Sequence, residues 1–449
     1  MRILYKKLSN LVILLIVWFA ATMTPLLARS LDAYPLDEFE RTGINRLEGY
    51  LLGLNTTSGR KNLVVGQLLS GAEIKLSDNI APKALPVNDS DFQASLKPLL
   101  PPSGTTRIAI LDITNPQEPA YAAINGQQQF VPGSVGKIVL ALTFFDQLAQ
   151  LYPFDLEKRK AVLKQRYLIA NSFTENDSHV IPIWRRNIGI LSFQPISRGD
   201  RANIWSYLDW MLSASSNAAA SMIAREIVTI AKFRKEYPPD LSEQIRFIKS
   251  SSPSSLGRLL RESVVSALSK AGLDPKKLNQ TSLFTSRAKQ IVQGSGSTAN
   301  VHQLITLMYK METGNLIDQF SSLALKKLLY STQKRIRYAS ADSLDRAAVY
   351  YKAGSLFSCN PQQLQPCHRY QGTKTNQMNS IALIEDPARA PRLRYIVALS
   401  TDILRQNSSV LHAQLANVVH KFMKRRSVFS NHPRILALRR KAKPIEAYD

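Results

Sequence analysis

Two apolar runs, Arg107-Ile-Ala-Ile-Leu111 and Ala120-Tyr-Ala-Ala-Ile124, open the main body of this chain. Their length and β-branched content predict strands, and Asn115-Pro116-Gln-Glu between them suits a turn. Val135 to Leu148 is apolar enough for a buried helix, and residues 150–330 read as mostly helical, with Ala218–Lys232 and Val301–Thr313 the clearest stretches. Strand patterns return at Ala347–Lys352, Ser380–Glu385 and Leu393–Thr401, and a helix over about Ser408–Arg425 closes the pattern. Two strands, a helical middle, three strands and a last helix predict an α+β architecture. An antiparallel sheet of about five strands, built from both chain ends and covered by helices, would carry an inserted all-helical lobe. The cleft between sheet and lobe is where a site would form.

Before this body, residues 30–104 have the texture of an extension. Phe39, Ile44, Leu47 and Leu51 give Asp37–Leu54 a helical spacing, and Pro82, Pro86, Pro98 and Pro101-Pro102 then break any long element into a Pro-rich linker. Residues 1–29 begin with a basic segment ending at Lys7, followed by Leu11 to Ala28 without a charge. That is a signal-peptide pattern, with an uncleaved membrane anchor over residues 11–28 as the alternative. Either reading places the rest of the chain outside the cytosol, in a periplasmic or extracellular setting. Beyond the body, residues 426–449 form a basic tail with Arg434, Arg439, Arg440, Lys441 and Lys443.

Charge adds a constraint on partners. The 449 residues include 58 Lys and Arg against 33 Asp and Glu, a net charge of +25. Such a surface favours an anionic envelope polymer or lipid surface. No aromatic-interleaved basic stretch or zinc-finger spacing points to a specific nucleic-acid reader. The only cysteines, Cys359 and Cys367, can close a short loop in an oxidising compartment, a constraint worth roughly 2.5 kcal/mol in chain entropy. With His368 they offer too few ligands for a metal, and nothing in the sequence calls for an organic cofactor. The oligomeric state is left open.

Three strings carry the chemistry: Ser134-Val-Gly-Lys137, Ser215-Ser-Asn217 and Lys352-Ala-Gly-Ser355. Each is weak alone. Ser-x-x-Lys recurs at Ser58-Lys61, Ser286-Lys289 and Ser331-Lys334, Ser-Asp-Asn occurs at Ser77-Asp78-Asn79, and Lys-Ala-Gly recurs at Lys270-Ala271-Gly272. Context selects among them. Ser134 follows the strand pair and the turn Phe130-Val-Pro-Gly133, and an apolar helix is expected to begin at the serine, aiming its N–H at an oxyanion. Lys137 then lies one turn on, where an amine of lowered pKa can take the Ser134 proton. Ser215 and Asn217 sit at a turn between two helical runs, placed to pass a proton to a leaving nitrogen and to hold a substrate amide. Lys352 lies on a strand and would attract a carboxylate. Gly354 lets substrate backbone approach, and the N–H of Ser355 would complete an oxyanion hole with that of Ser134. The rival Lys270-Ala271-Gly272 reads as a helix stop.

Taken in this order, the strings resemble the signature of the penicillin-recognising serine hydrolases, closest to the class A β-lactamase-like branch. The resemblance runs from about Thr105 to Lys424 and implies a catalytic domain over residues 105–425. By that resemblance Ser134 is the acylated nucleophile, Lys137 its base, Ser215 the proton shuttle and Lys352 the carboxylate anchor, acting on a β-lactam or a peptidoglycan-derived amide. Two departures bear on mechanism. Ala353 stands where the family usually has Thr, with Ser355 a partial substitute. The family's Glu-x-x-Leu-Asn loop, which holds the hydrolytic water, is matched only by Pro275-Lys-Lys-Leu278-Asn279, with Asp274 one position off and Glu262 on an apparent helix. An acyl-enzyme would then form and linger. A cell-wall peptidase or esterase, or an envelope-binding protein with a weak site, is the competing expectation.

Overall fold

The computed structural model describes residues 35–52, 63–77, 84–102, 104–332, 335–362 and 366–430. The expected signal segment, the Ser58-Lys61 string, Pro82 and the tail beyond residue 430 lie outside them. Among the described residues no helix is long and apolar enough to cross a membrane.

The centre is a five-stranded antiparallel sheet. Its strands are β1 (Thr105–Asp112), β2 (Ala120–Ile124), β3 (Ala348–Ser358), β4 (Thr375–Asp386) and β5 (Leu393–Asp402), in the spatial order β2-β1-β5-β4-β3. Register is set by pairs such as Ile110 with Val397 and Lys352 with Ile381. Both faces are covered, which is why these strands read as nearly continuous apolar runs. Ala109 and Leu111 point into the core shared with the helical lobe, whereas Ile108 and Ile110 point to the opposite layer.

Helices follow from caps and periodicity. In chain order they include α1 (Glu38–Thr42), α2 (Asn45–Leu51), α3 (Ser90–Leu96), α4 (Lys137–Leu151), α5 (Ile204–Leu212), α6 (Asn217–Phe233), α7 (Pro253–Lys270), α8 (Val301–Glu312), α9 (Gln319–Tyr330) and α10 (Ser408–Ser430). In α10, Leu411, Leu415, Val419 and Met423 recur every fourth residue and bury against the outer sheet face with Phe92 and Leu96 of α3. α4 is buried on all sides from Lys137 to Leu148, so it is the central helix of the molecule. Lys270-Ala271-Gly272 ends α7, with Gly272 in the left-handed region, as its sequence implies.

Three local features depart from the sequence expectation. The inserted lobe also carries three two-stranded ribbons: Tyr167–Ile169 with Arg201–Asn203, Ile181–Arg185 with Ile190–Gln194, and Asn279–Gln280 with Ser297–Thr298. They are too short to show a period of two against a helical background. Gly43 (φ 62°) caps α1 and splits the expected helix near Asp37 in two. The helix expected to begin at Ser134 begins at Lys137, and Ser134 sits on a preceding 3-10 turn, Gly133–Gly136.

The extension packs directly on the body. Leu36, Ile44, Leu47 and Tyr50 share the core of the helical lobe. Arg46 is buried and grips Asp209 of α5 with both arms, Nε at 2.6 Å and Nη2 at 2.7 Å, while Nη2 also donates to the Ser331 carbonyl. Asn45 exchanges two hydrogen bonds with the backbone of Trp184.

Candidate active site

The three strings converge on one cleft of about 690 Å³ between the sheet and the helical lobe. Its base is the turn before α4. Gly133 adopts φ 54°, a conformation that glycine takes without strain, and swings Ser134 into the cleft. From β4, the buried amide of Asn379 donates to the carbonyls of Val131 (2.9 Å) and Pro132 (3.1 Å), fixing that turn against the sheet. On β3, Gly354 lies directly beneath it. A Cβ there would come within 2.7 Å of both Pro132 O and Ser134 N, so the close approach requires glycine.

Lys137 is fully buried and its Nζ lies 3.0 Å from Ser134 Oγ. The same amine donates to the Ser215 carbonyl at 2.6 Å and to Asn217 Oδ1 at 2.7 Å, and it stands 4.6 Å from the centre of the Phe284 ring. Burial pulls this amine from 10.5 down to about 7; the Asp177 carboxylate opposes the fall and the Arg337 guanidinium adds to it. A neutral amine at Lys137 is therefore well populated near neutral pH.

Ser215 reaches the cleft on a strained turn, with φ 61° on a non-glycine residue. Its Oγ accepts from Lys352 Nζ at 2.8 Å and lies 3.4 Å from Lys137 Nζ, so one hydroxyl bridges the two lysines. Ser216 caps α6 by accepting from the Ala219 N–H. Asp177 Oδ2 accepts from Ser216 Oγ and from the Ala218 N–H, and Oδ1 pairs with His179. Burial alone would raise that carboxyl, but the hydrogen bonds from His179 and Ala218 override it and hold it at about 2. Lys352 is also buried, and burial together with the neighbouring charges of Lys137 and Arg337 pushes its amine well below the usual lysine range.

The structure thus brings together Ser134, Lys137, Ser215, Asn217, Lys352, Gly354 and Ser355, all singled out in the sequence. It adds residues that the strings did not mark. Arg337 donates from Nη2 to Ser355 Oγ (3.2 Å) and to the Tyr370 hydroxyl (3.1 Å). Both Arg337 and Tyr370 hold left-handed backbone, φ 57° and φ 64°. Asp177, Asn379 and Phe284 complete the support. Arg337 is one cation among 58 with no motif around it, and only the fold selects it. The hairpin from β3 to β4 carries the Cys359–Cys367 disulfide, with Cα atoms 5.7 Å apart, and leads into Tyr370.

Among the described residues no Asp or Glu lines the cleft. Asp274 caps the Lys276 N–H, Glu262 is exposed on α7, and Asn279 starts a ribbon with its side chain turned back to the Pro275 carbonyl. Gln280 reaches the cleft from that segment, and its buried Oε1 lies against Gly136 with no hydrogen-bond partner. Among the described residues no group of three potential ligands could hold a metal.

A model of the Beta-lactamase enzyme family matches residues 91–361, well over half of the chain. No curated protein matches. Similar solved structures include a PBP-A variant, described as an acyl-enzyme complex with penicillin G, at 14% identity over 75% of this chain and 97% of that one, TM-score 0.47. The TLA-3 extended-spectrum beta-lactamase is 14% identical over 74% of this chain and 98% of its own, TM-score 0.47. A beta-lactamase from Chitinophaga pinensis is 13% identical over 75% of this chain and 100% of its own, TM-score 0.46. With a family match of that extent, the chain belongs to the beta-lactamase enzyme family and is a serine hydrolase with the β-lactamase/transpeptidase-like fold.

Proposed function

We propose that this hydrolase is exported and is acylated at Ser134 by a β-lactam or a related cell-wall peptide amide. The observation that carries the reading is the Lys137 amine, fully buried and 3.0 Å from Ser134 Oγ, with its pKa lowered to about 7. Neutral Lys137 takes the hydroxyl proton as Oγ attacks the substrate carbonyl. The N–H groups of Ser134 and Ser355 stabilise the resulting oxyanion. Ser215 Oγ, between Lys137 and Lys352, relays the proton to the leaving nitrogen as the C–N bond breaks, while Asn217 holds the substrate amide. Lys352, Ser355 and Arg337 bind the substrate carboxylate, and Arg337 takes up part of the work of the hydroxyl missing at Ala353. Export rests on the uncharged stretch from Leu11 to Ala28 behind a basic start.

A cleft with no lining carboxylate among the described residues favours slow deacylation, and so a peptidase or esterase that β-lactams trap over a fast lactamase. Intact-mass spectrometry of the full chain after mixing with a reporter penicillin tests both points. A stable adduct that is absent from the Ser134→Ala protein is expected. Product release with no lasting adduct would mean efficient turnover, and neither adduct nor product would remove the acylation reading.

A further inference from the structure

The cleft has basic side chains on both walls, and among the described residues His179 is the only one of these lining side chains with an acidic partner. Lys352, Arg337 and Arg369 line the sheet side and Lys289 the lobe side, and none of these four forms an ion pair with a described residue. Arg337 also keeps a buried Nε N–H without a partner. Tyr370 is shared by two guanidinium groups: Arg337 lies 5.1 Å and Arg369 4.8 Å from its ring centre. The two groups are therefore no farther apart than those distances laid end to end. Tyr370 is itself fixed by Phe357 edge-on at 5.7 Å and by the Ser408 N–H on its carbonyl at 3.0 Å, so the ring that both cations share is held by the fold.

From this arrangement we propose that the substrate carries two carboxylates on its leaving-group side, one bound by Arg337 with Ser355 and Lys352, the second by Arg369 at the rim. This rests on the acylation reading and names the class of acyl donor: a peptide amide whose leaving residue is a diacid. One carboxylate satisfies the inner group, which already holds the Ser355 and Tyr370 hydroxyls. Arg369 is exposed and stacks on the Tyr370 ring, and a second anion beside it meets a guanidinium that has no acidic partner among the described residues.

The test uses the full-length Ser134→Ala protein, which binds without reacting, and two peptides, benzoyl-D-alanyl-D-alanine and benzoyl-D-alanyl-D-aspartate, titrated by calorimetry. The aspartate peptide should bind about five-fold tighter at low ionic strength, an exposed-pair effect that 0.5 M salt (about a 4 Å screening length) should erase. Arg369→Gln, at an exposed position that does not touch the nucleophile, should bring the two affinities together. Equal affinities in the starting protein, a preference that survives Arg369→Gln, or no binding of either peptide would overturn the proposal. Because nothing reacts in this experiment, failure of the penicillin adduct at Ser134 would leave its result standing, and the two readings fail separately.

Discussion

At Gly354 a single methyl group decides whether Ser134 can sit where it does. A Cβ at this position would meet Pro132 O and Ser134 N at 2.7 Å and Val135 N at 3.0 Å, all backbone atoms that cannot rotate away. Gly354→Ala should therefore displace the Ser134 turn, costing about 1–3 kcal/mol of stability and lowering the acylation rate at least about ten-fold. Thermal unfolding and adduct formation measured on the same sample check this; unchanged acylation would show that the turn and β3 are not coupled. At this scale the sequence marked Ser134, Lys137, Ser215, Lys352 and this glycine, because each sits in a short string with fixed spacing. It did not mark Arg337, Tyr370, Asp177 or Asn379. Those act across the fold, from 18 residues for Arg337 on Ser355 to 248 for Asn379 on Val131, where no local pattern exists.

Elements were legible where they were long and buried. The strands of the central sheet and helices α4, α6, α8 and α10 show in the apolar pattern, because a sheet covered on both faces and a helix buried all round leave few polar interruptions. The ribbons of two to five residues and the break at Gly43 did not, since their form is imposed by packing. One inter-element contact sets a pH dependence. His412 of α10 is buried between β4 and β5, bonded to Ser380 Oγ at 2.9 Å and Thr401 Oγ1 at 3.0 Å. Burial, with a smaller push from the Arg337 charge, lowers its pKa from 6.5 to about 3. Below pH 6.5 the unfolded chain takes up a proton that the folded chain refuses until about pH 3. Stability therefore falls as pH drops through that window, with a limiting slope of about 1.4 kcal/mol per pH unit for one proton. Denaturant unfolding from pH 7 to 4 should show this loss, and His412→Asn should flatten it. A slope unaffected by the substitution would contradict the assignment.

Over the whole molecule, the site depends on closure of the sheet against the lobe. Residues 35–52 help hold that lobe through the buried Arg46–Asp209 pair, a contact no composition shift announced. Closure buries Lys137 entirely, sets Lys352 and Arg337 beside it, and leaves no carboxylate of the described residues along the cleft. The lowered pKa of Lys137 is thus a property of the assembled fold and not of the Ser-x-x-Lys spacing, which recurs three times elsewhere in the chain. The role proposed for Lys137 is read most directly from the pH dependence of the acylation rate of Ser134 under excess penicillin, followed by intact mass. With the neutral Lys137 amine proposed as the active form, the rate should rise with pH through a midpoint near 7. In Lys137→Arg, whose guanidinium stays charged, the rate should fall by about 10²–10⁴-fold with that midpoint gone. A wild-type rate that is flat through neutral pH, or one that Lys137→Arg leaves intact, would contradict Lys137 as the base.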